Sequence, residues 1–119
     1  MKNIFLTVMT VLALFFGVMA CSAKEKTADI VVFTQTGCPH CEHAMLFIND
    51  VIKKQKPQLT IAEYNIRDSR KNYDLFLKYV KKYNITGNSV GTPLIITKGT
   101  PFVGWDEKTK EKLIETINK

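Results

Sequence analysis

Two cysteines two residues apart, Cys38 and Cys41 with Pro39 and His40 between them, are the residues of this chain best suited to chemistry. Thiolates at this spacing can exchange with a disulfide, bind a soft metal, or close a small ring on each other. In exchange, the first thiolate attacks a partner disulfide and the second reaches back to release the mixed disulfide. A metal centre would draw on both sulfurs with His40 or His43, but no further Cys or His pair exists to complete four ligands. Haem attachment requires a histidine directly after the second cysteine, where Glu42 stands. A purely structural disulfide across so short a loop would constrain little of the chain.

The elements around the pair give it its meaning. Ile30-Val31-Val32-Phe33-Thr34 is a continuous apolar run of the kind seen in a strand buried on both faces. Gln35-Thr36-Gly37 interrupts it, and Ala44, Phe47, Ile48, Val51 and Ile52 then recur at helical spacing over 39–54. Pro39 suits the first turn of that helix and Pro57 lies beyond its end. The pair therefore sits at a strand-to-helix junction, where free backbone N–H groups and the helix dipole favour a negative sulfur. That placement makes Cys38 the nucleophile and puts Cys41 one turn inside the helix as the resolving thiol.

Further along, Leu59 to Ile66 reads as a second strand, and Tyr73, Phe76, Leu77 and Val80 mark a helix over 70–83 that ends near Asn84 and Gly87. Leu94-Ile95-Ile96-Thr97 and Phe102-Val103-Gly104 read as a hairpin about Lys98-Gly99-Thr100. A last helix over 107–118 places Leu113, Ile114 and Ile117 together. The order β-α-β-α-β-β-α implies an α/β fold with a four-stranded mixed sheet, its first two strands parallel.

The first twenty residues are different in kind. Lys2 is followed by an uncharged, mostly apolar stretch from Ile4 to Ala20, the layout of a secretory signal peptide. It falls short of the roughly 20 apolar residues of a permanent membrane helix. Val18-Met19-Ala20-Cys21 resembles a bacterial lipobox, which implies that Cys21 is lipidated and becomes the N-terminus of an exported protein. An ordinary cleavage after Ala20 or Ala23, with Cys21 incidental, is the alternative. The expected organisation is a lipoprotein-type signal peptide at 1–20, a lipidated cysteine and tether at 21–29, and one domain at 30–119.

Composition excludes some classes. Apolar residues make up 45% of the 119 and charged residues 24%, a globular balance. The net charge of +6 is spread over lysines of helix-like segments without interleaved aromatics, which argues against a nucleic-acid surface.

Phe33-Thr34-Gln35-Thr36-Gly37-Cys38-Pro39-His40-Cys41 resembles the opening of a glutaredoxin, within the thioredoxin superfamily. Gly91-Thr92-Pro93 is similar to the superfamily's cis-proline loop, and Gly104-Trp105-Asp106 resembles the Gly-x-Asp region that grips the γ-glutamyl end of glutathione. The likeness spans about residues 29–119 and implies a thioredoxin-like, glutaredoxin-type fold. Departures are specific. Gln35 stands where glutaredoxins commonly carry Lys, His40 where they carry Tyr, and Gly37 where thioredoxins carry Trp. Val32 occupies the position of the buried acid of thioredoxin and of the periplasmic oxidase DsbA, whereas the dipeptide Pro39-His40 matches DsbA. The resemblance implies a protein dithiol–disulfide oxidoreductase in which His40 tunes the Cys38 thiolate and Thr92 with Pro93 docks the substrate backbone. Gly104, Trp105 and Asp106 complete the substrate site. No bound cofactor is implied beyond the redox-active disulfide. The implied partners are cysteine-containing exported proteins, glutathione and a membrane redox partner, and the implied location is the periplasm or cell envelope. Two alternatives stay open: a glutathione-dependent enzyme, and a membrane-tethered metal-binding CxxC module.

Overall fold

A computed structural model describes residues 28–119; the expected signal peptide, Cys21 and most of the tether lie outside the described residues. The chain enters strand β1 (Ile30–Thr34), all five residues of which are buried. Helix α1 spans Pro39–Phe47, continues as a π segment over Ile48–Ile52, and ends in one α turn at Lys53–Gln55. Strand β2 (Ile61–Asn65), helix α2 (Arg70–Lys82), a 3-10 turn at Gly87–Ser89, strands β3 (Leu94–Thr97) and β4 (Thr100–Val103), and helix α3 (Glu107–Asn118) follow.

The sheet has the order β2-β1-β3-β4, with β1 parallel to β2 and antiparallel to β3. This is the expected four-stranded mixed sheet. Because strand side chains alternate between faces, the apolar run of β1 feeds two cores at once. Ile30 and Val32 join Ala44, Ile48 and Ile52 of α1, Ile95 and Phe102 of the hairpin, and Leu113 and Ile117 of α3. Val31 and Phe33 face the other way, onto Phe76 of α2 with Leu94 and Ile96. Phe33 has no exposed surface, and its ring lies 5.1 Å from Tyr79, 5.6 Å from Tyr64 and 5.6 Å from Phe76.

Several details differ from the sequence expectation. On α2 the apolar stripe is turned: Phe76, Tyr79 and Tyr83 face the sheet, whereas Tyr73 and Leu77 are exposed. The edge-to-face contact of Tyr79 with Phe33 goes with that rotation. On α3, Leu113 and Ile117 are buried and Ile114 is exposed, since one residue's step along a helix turns it about 100°. Strand β4 starts at Thr100 and includes Pro101, which an edge strand tolerates because its missing N–H faces away from the ladder.

Replacing Phe33 by Ala removes the ring that α2 packs on. It should cost about 3–5 kcal/mol of stability, whereas Leu77→Ala should cost less than about 0.5 kcal/mol. Urea unfolding followed by circular dichroism checks both; equal losses would show that the α2 core is placed wrongly.

Candidate functional site

The junction after β1 turns at Gly37, whose φ of +78° lies in the left-handed region that glycine enters freely. The Cys38 N–H donates to Gln35 O at 3.2 Å and closes the turn. Cys38 is then the N-cap of α1, and its sulfur accepts from the Cys41 N–H at 3.2 Å. Pro39 occupies the first helical turn, where its missing N–H costs nothing. Sulfur therefore takes the place that a Ser or Asp oxygen fills at most helix starts.

Cys38 and Cys41 form a disulfide, with Cα atoms 5.2 Å apart. The two sulfurs differ in access. Cys38 is half-buried, whereas Cys41 is only 3% exposed. His40 is exposed on the first turn of α1 and makes no hydrogen bond among the described residues.

A second segment meets the disulfide from the start of the neighbouring strand β3. Thr92 O and Thr92 Oγ1 each lie 3.9 Å from Cys38 Sγ, and the Thr92–Pro93 peptide is cis. In the disulfide Cys38 carries no proton, so the carbonyl is only a packing neighbour there. In the reduced state the Thr92 hydroxyl and the Cys41 N–H both point donors at the same sulfur. The third segment is tied to the second: Gly104 N–H donates to Pro93 O at 2.9 Å, beside the Leu94–Val103 pairing.

Of the residues expected at the site, Cys38, Cys41, Thr92 and Pro93 are thus brought together, with Gly104 one hydrogen bond behind them. Trp105 and Asp106 have local duties. The Trp105 ring lies 5.5 Å from that of Phe47, which closes the edge of the core between α1 and α3. Asp106 caps α3, its Oδ1 accepting from Thr109 N at 2.7 Å.

A cleft of about 290 Å³ opens beside the buried thiol, between Cys41, Met45, Thr34, Glu63 and Asn65. The buried Thr34 hydroxyl donates to Glu63 Oε1 at 3.1 Å. Sequence reasoning missed this pair, although Val32 left Cys41 without a local acid. The register sets Val32 against Glu63, so the carboxylate stands on the neighbouring strand instead. Strand alternation offered a signal, since it places Glu63 on the same face as Ile61, which packs against the α1 core. Arg67 was missed as well. With the Gln35 amide turned so that its oxygen faces the guanidinium, Arg67 Nη2 and Nε donate to that oxygen at 2.7 and 2.9 Å, which brings a cation to the loop before Cys38. Among the described residues no group of three or more His, Cys, Asp or Glu side chains is placed to hold a metal ion.

Comparison of the sequence with family models and with curated proteins gave no match. Among solved structures, the chain is similar to the crystal structure of a glutaredoxin (grx-1) from Archaeoglobus fulgidus. The superposition has a TM-score of 0.56 at 16% identity and covers 84% of this chain and 100% of that one. The fold is thus glutaredoxin-like, of the thioredoxin-like α/β kind.

The Asp106 cap makes the third segment sensitive to acid. Hydrogen bonds from the Thr109 backbone and side chain hold the Asp106 carboxyl below its ordinary value of 3.8, and Lys108 and Lys112 act in the same direction. A lowered folded-state pKa gives stability that is present above the unfolded value and is lost as pH falls through the folded one. Asp106→Asn keeps a capping oxygen but does not titrate. Its urea midpoint should therefore fall less steeply than that of the natural chain as the pH is taken below about 4. Parallel pH profiles would remove Asp106 from this role.

Proposed function

We propose that the protein is a thiol–disulfide oxidoreductase that exchanges disulfides with the cysteines of exported proteins. One observation carries the reading: a half-exposed sulfur at a helix N-terminus is bonded to a buried one, with Thr92 against its open side. In the reducing direction the Cys38 thiolate attacks one sulfur of a partner disulfide and expels the other as a thiolate, which takes up a proton. The Cys41 thiolate then attacks Cys38 Sγ, closes the disulfide seen here, and releases the partner's second thiolate. Two electrons pass to the partner; the oxidising direction is the same sequence reversed. The electrons reside in the cysteine pair, so no bound cofactor is needed. A membrane redox partner sets the direction by fixing which state of the pair accumulates.

Location and anchoring are proposed on the sequence: a cleavable N-terminal segment and lipidation of Cys21 put the domain on the outer side of a membrane. His40, exposed and able to turn toward Cys38, stabilises the thiolate by a hydrogen bond. Resolution requires Cys41 to lose its proton inside a buried site. The cleft beside it supplies Glu63, through water and the Thr34 hydroxyl, as the acceptor.

Glutathione as the reducing substrate is a second reading, favoured by Arg67. Its guanidinium beside Gln35 restores a cation that could pair with a peptide carboxylate near Cys38. Running the exchange assay with glutathione instead of a protein dithiol separates the two.

At neutral pH, iodoacetamide should alkylate reduced Cys38 much faster than Cys41, because only Cys38 is both accessible and at the helix start. Cys38→Ser should abolish disulfide exchange, whereas Cys41→Ser should accumulate mixed disulfides visible on non-reducing gels. Faster labelling of Cys41 would reverse the assigned roles.

His40 and Glu63 should separate kinetically. His40→Ala should raise the Cys38 pKa and lower the reduction potential by roughly 30–60 mV, the equivalent of one charge-assisted hydrogen bond. Glu63→Gln should leave the Cys38 pKa in place and slow release of the mixed disulfide. Release rates that match those of the natural chain across pH would take Glu63 out of the mechanism.

A further inference from the structure

All three helices end where β1 begins. Helix α2 starts beside the disulfide end of the sheet, where Asn72 Nδ2 donates to Asn65 O, and finishes at a pocket shared by Tyr79, Lys82, Tyr83, Asp29 and Lys98. Helix α3 starts beside Gly104 and finishes where Lys98 Nζ donates to Ile117 O at 3.2 Å. Helix α1 descends from Cys38 to a last turn where Lys53 Nζ donates to Leu59 O at 2.6 Å. Leu59, Ile117 and Lys98 in turn line one pocket with Ala28 and Asp29.

This end of the domain gathers Lys53 and Lys54 in the last turn of α1 with Lys56 just after it, Lys81 and Lys82 at the end of α2, Lys98 in the hairpin, and Lys119. The acids among them are Asp29, which accepts from Thr60 N and Oγ1, Asp50, one turn before Lys53 and Lys54, and Glu115, which pairs with Lys119. Lys53 and Lys98 bond neutral carbonyls and Lys82 lies over the Tyr79 and Tyr83 rings, so the lysines outnumber the acids at this pole even with Asp29 in the pocket of Lys82 and Lys98. At the opposite end, Glu42, Glu63, Asp68, Asp106 and Glu107 are mixed with Arg67, Arg70, Lys71 and Lys108. Helix dipoles account for lysines in the last turns of α1 and α2. They do not account for Lys56 or Lys98. Lys98 adopts φ +48° in a hairpin turn that Asn or Gly would fill with less strain.

The chain enters the domain at this same pole, through Ala28, with Cys21 seven residues earlier. We propose that the lysine pole rests on the anionic headgroups of a lipid bilayer, with the Cys38–Cys41 disulfide turned away from the membrane. The proposal rests on the membrane-anchored part of the proposed function and adds to it an orientation. Residues 22–29 reach at most about 28 Å, so an anchor at Cys21 keeps the pole within touch of the surface. A polybasic patch is the second signal that stabilises attachment by acyl chains. Surface potential decays over a Debye length of about 8 Å, so only lysines at that end feel it. The five residues of β1 alone put about 17 Å between the pole and the reactive loop.

Lysine acetylation tests the proposal. The full chain is mixed with vesicles of phosphatidylcholine alone or with phosphatidylglycerol added, briefly acetylated, and mapped by mass spectrometry. Lys53, Lys56, Lys82 and Lys98 should react several-fold more slowly on the anionic vesicles, and high salt should remove the difference. Lys71 and Lys108, at the starts of α2 and α3, should react alike on both. A variant with Lys53, Lys56 and Lys82 changed to Gln should keep its disulfide exchange and lose the residual protection at Lys98. Equal reactivity of the pole lysines on both vesicles, or protection of every lysine alike, would overturn the orientation. Co-flotation with the neutral vesicles reports the anchor separately. A chain that floats there without pole protection on anionic lipid refutes the pole alone. A chain that fails to float yet shows the protection refutes the anchor alone.

Discussion

The burial of β1 is the constraint on which everything else depends. Its five residues hydrogen-bond to β2 on one side and β3 on the other, and their side chains reach into both cores. A strand in that position cannot slide by one residue without exchanging Ile30 and Val32 for Val31 and Phe33, which differ in volume and in partners. Its end is therefore fixed, and with it the turn at Gly37 and the first residue of α1. The sulfur of Cys38 is located by the hydrophobic effect before any polar contact acts on it.

Polar contacts then distinguish two sulfurs that the sequence makes nearly equivalent. Cys38 takes a backbone N–H as a helix cap and meets Thr92 beside the adjacent strand, whereas Cys41 is buried and closed off. A negative charge on the first sulfur is solvated by fixed donors; on the second it has only the neighbouring cleft with Thr34 and Glu63. The difference in environment lets one thiol meet strangers and confines the other to its neighbour. Electrostatics and access reinforce each other here, because the helix start that favours the anion is also the part of the helix nearest solvent.

Much of this was legible in the residues. The apolar run of β1, the break at Gln35-Thr36-Gly37 and the Pro39 start gave the reactive junction, and each strand and helix lies within a few residues of its expected span. The errors have physical causes. A helix stripe read from apolar positions alone counts Leu77 and omits Tyr79, although a tyrosine ring can outcompete a leucine for a place on Phe33. The π segment at Ile48–Ile52 inserts a wider turn that periodicity does not announce. Glu63 and Arg67 escaped notice because their relation to Cys41 and Gln35 depends on strand register and loop course, which no local pattern encodes.

The contact between Cys38 and Thr92 joins residues 54 positions apart in the sequence. During synthesis the two thiols are therefore made long before the threonine, the buried proline and the hairpin that will surround one of them. An incomplete chain carries a pair of ordinary cysteines beside a strand that still lacks its antiparallel neighbour. The Thr92 contacts of Cys38 are completed late, when β3 docks. Under the proposed disulfide exchange, that timing limits what the chain can do to itself or to its neighbours before it is finished.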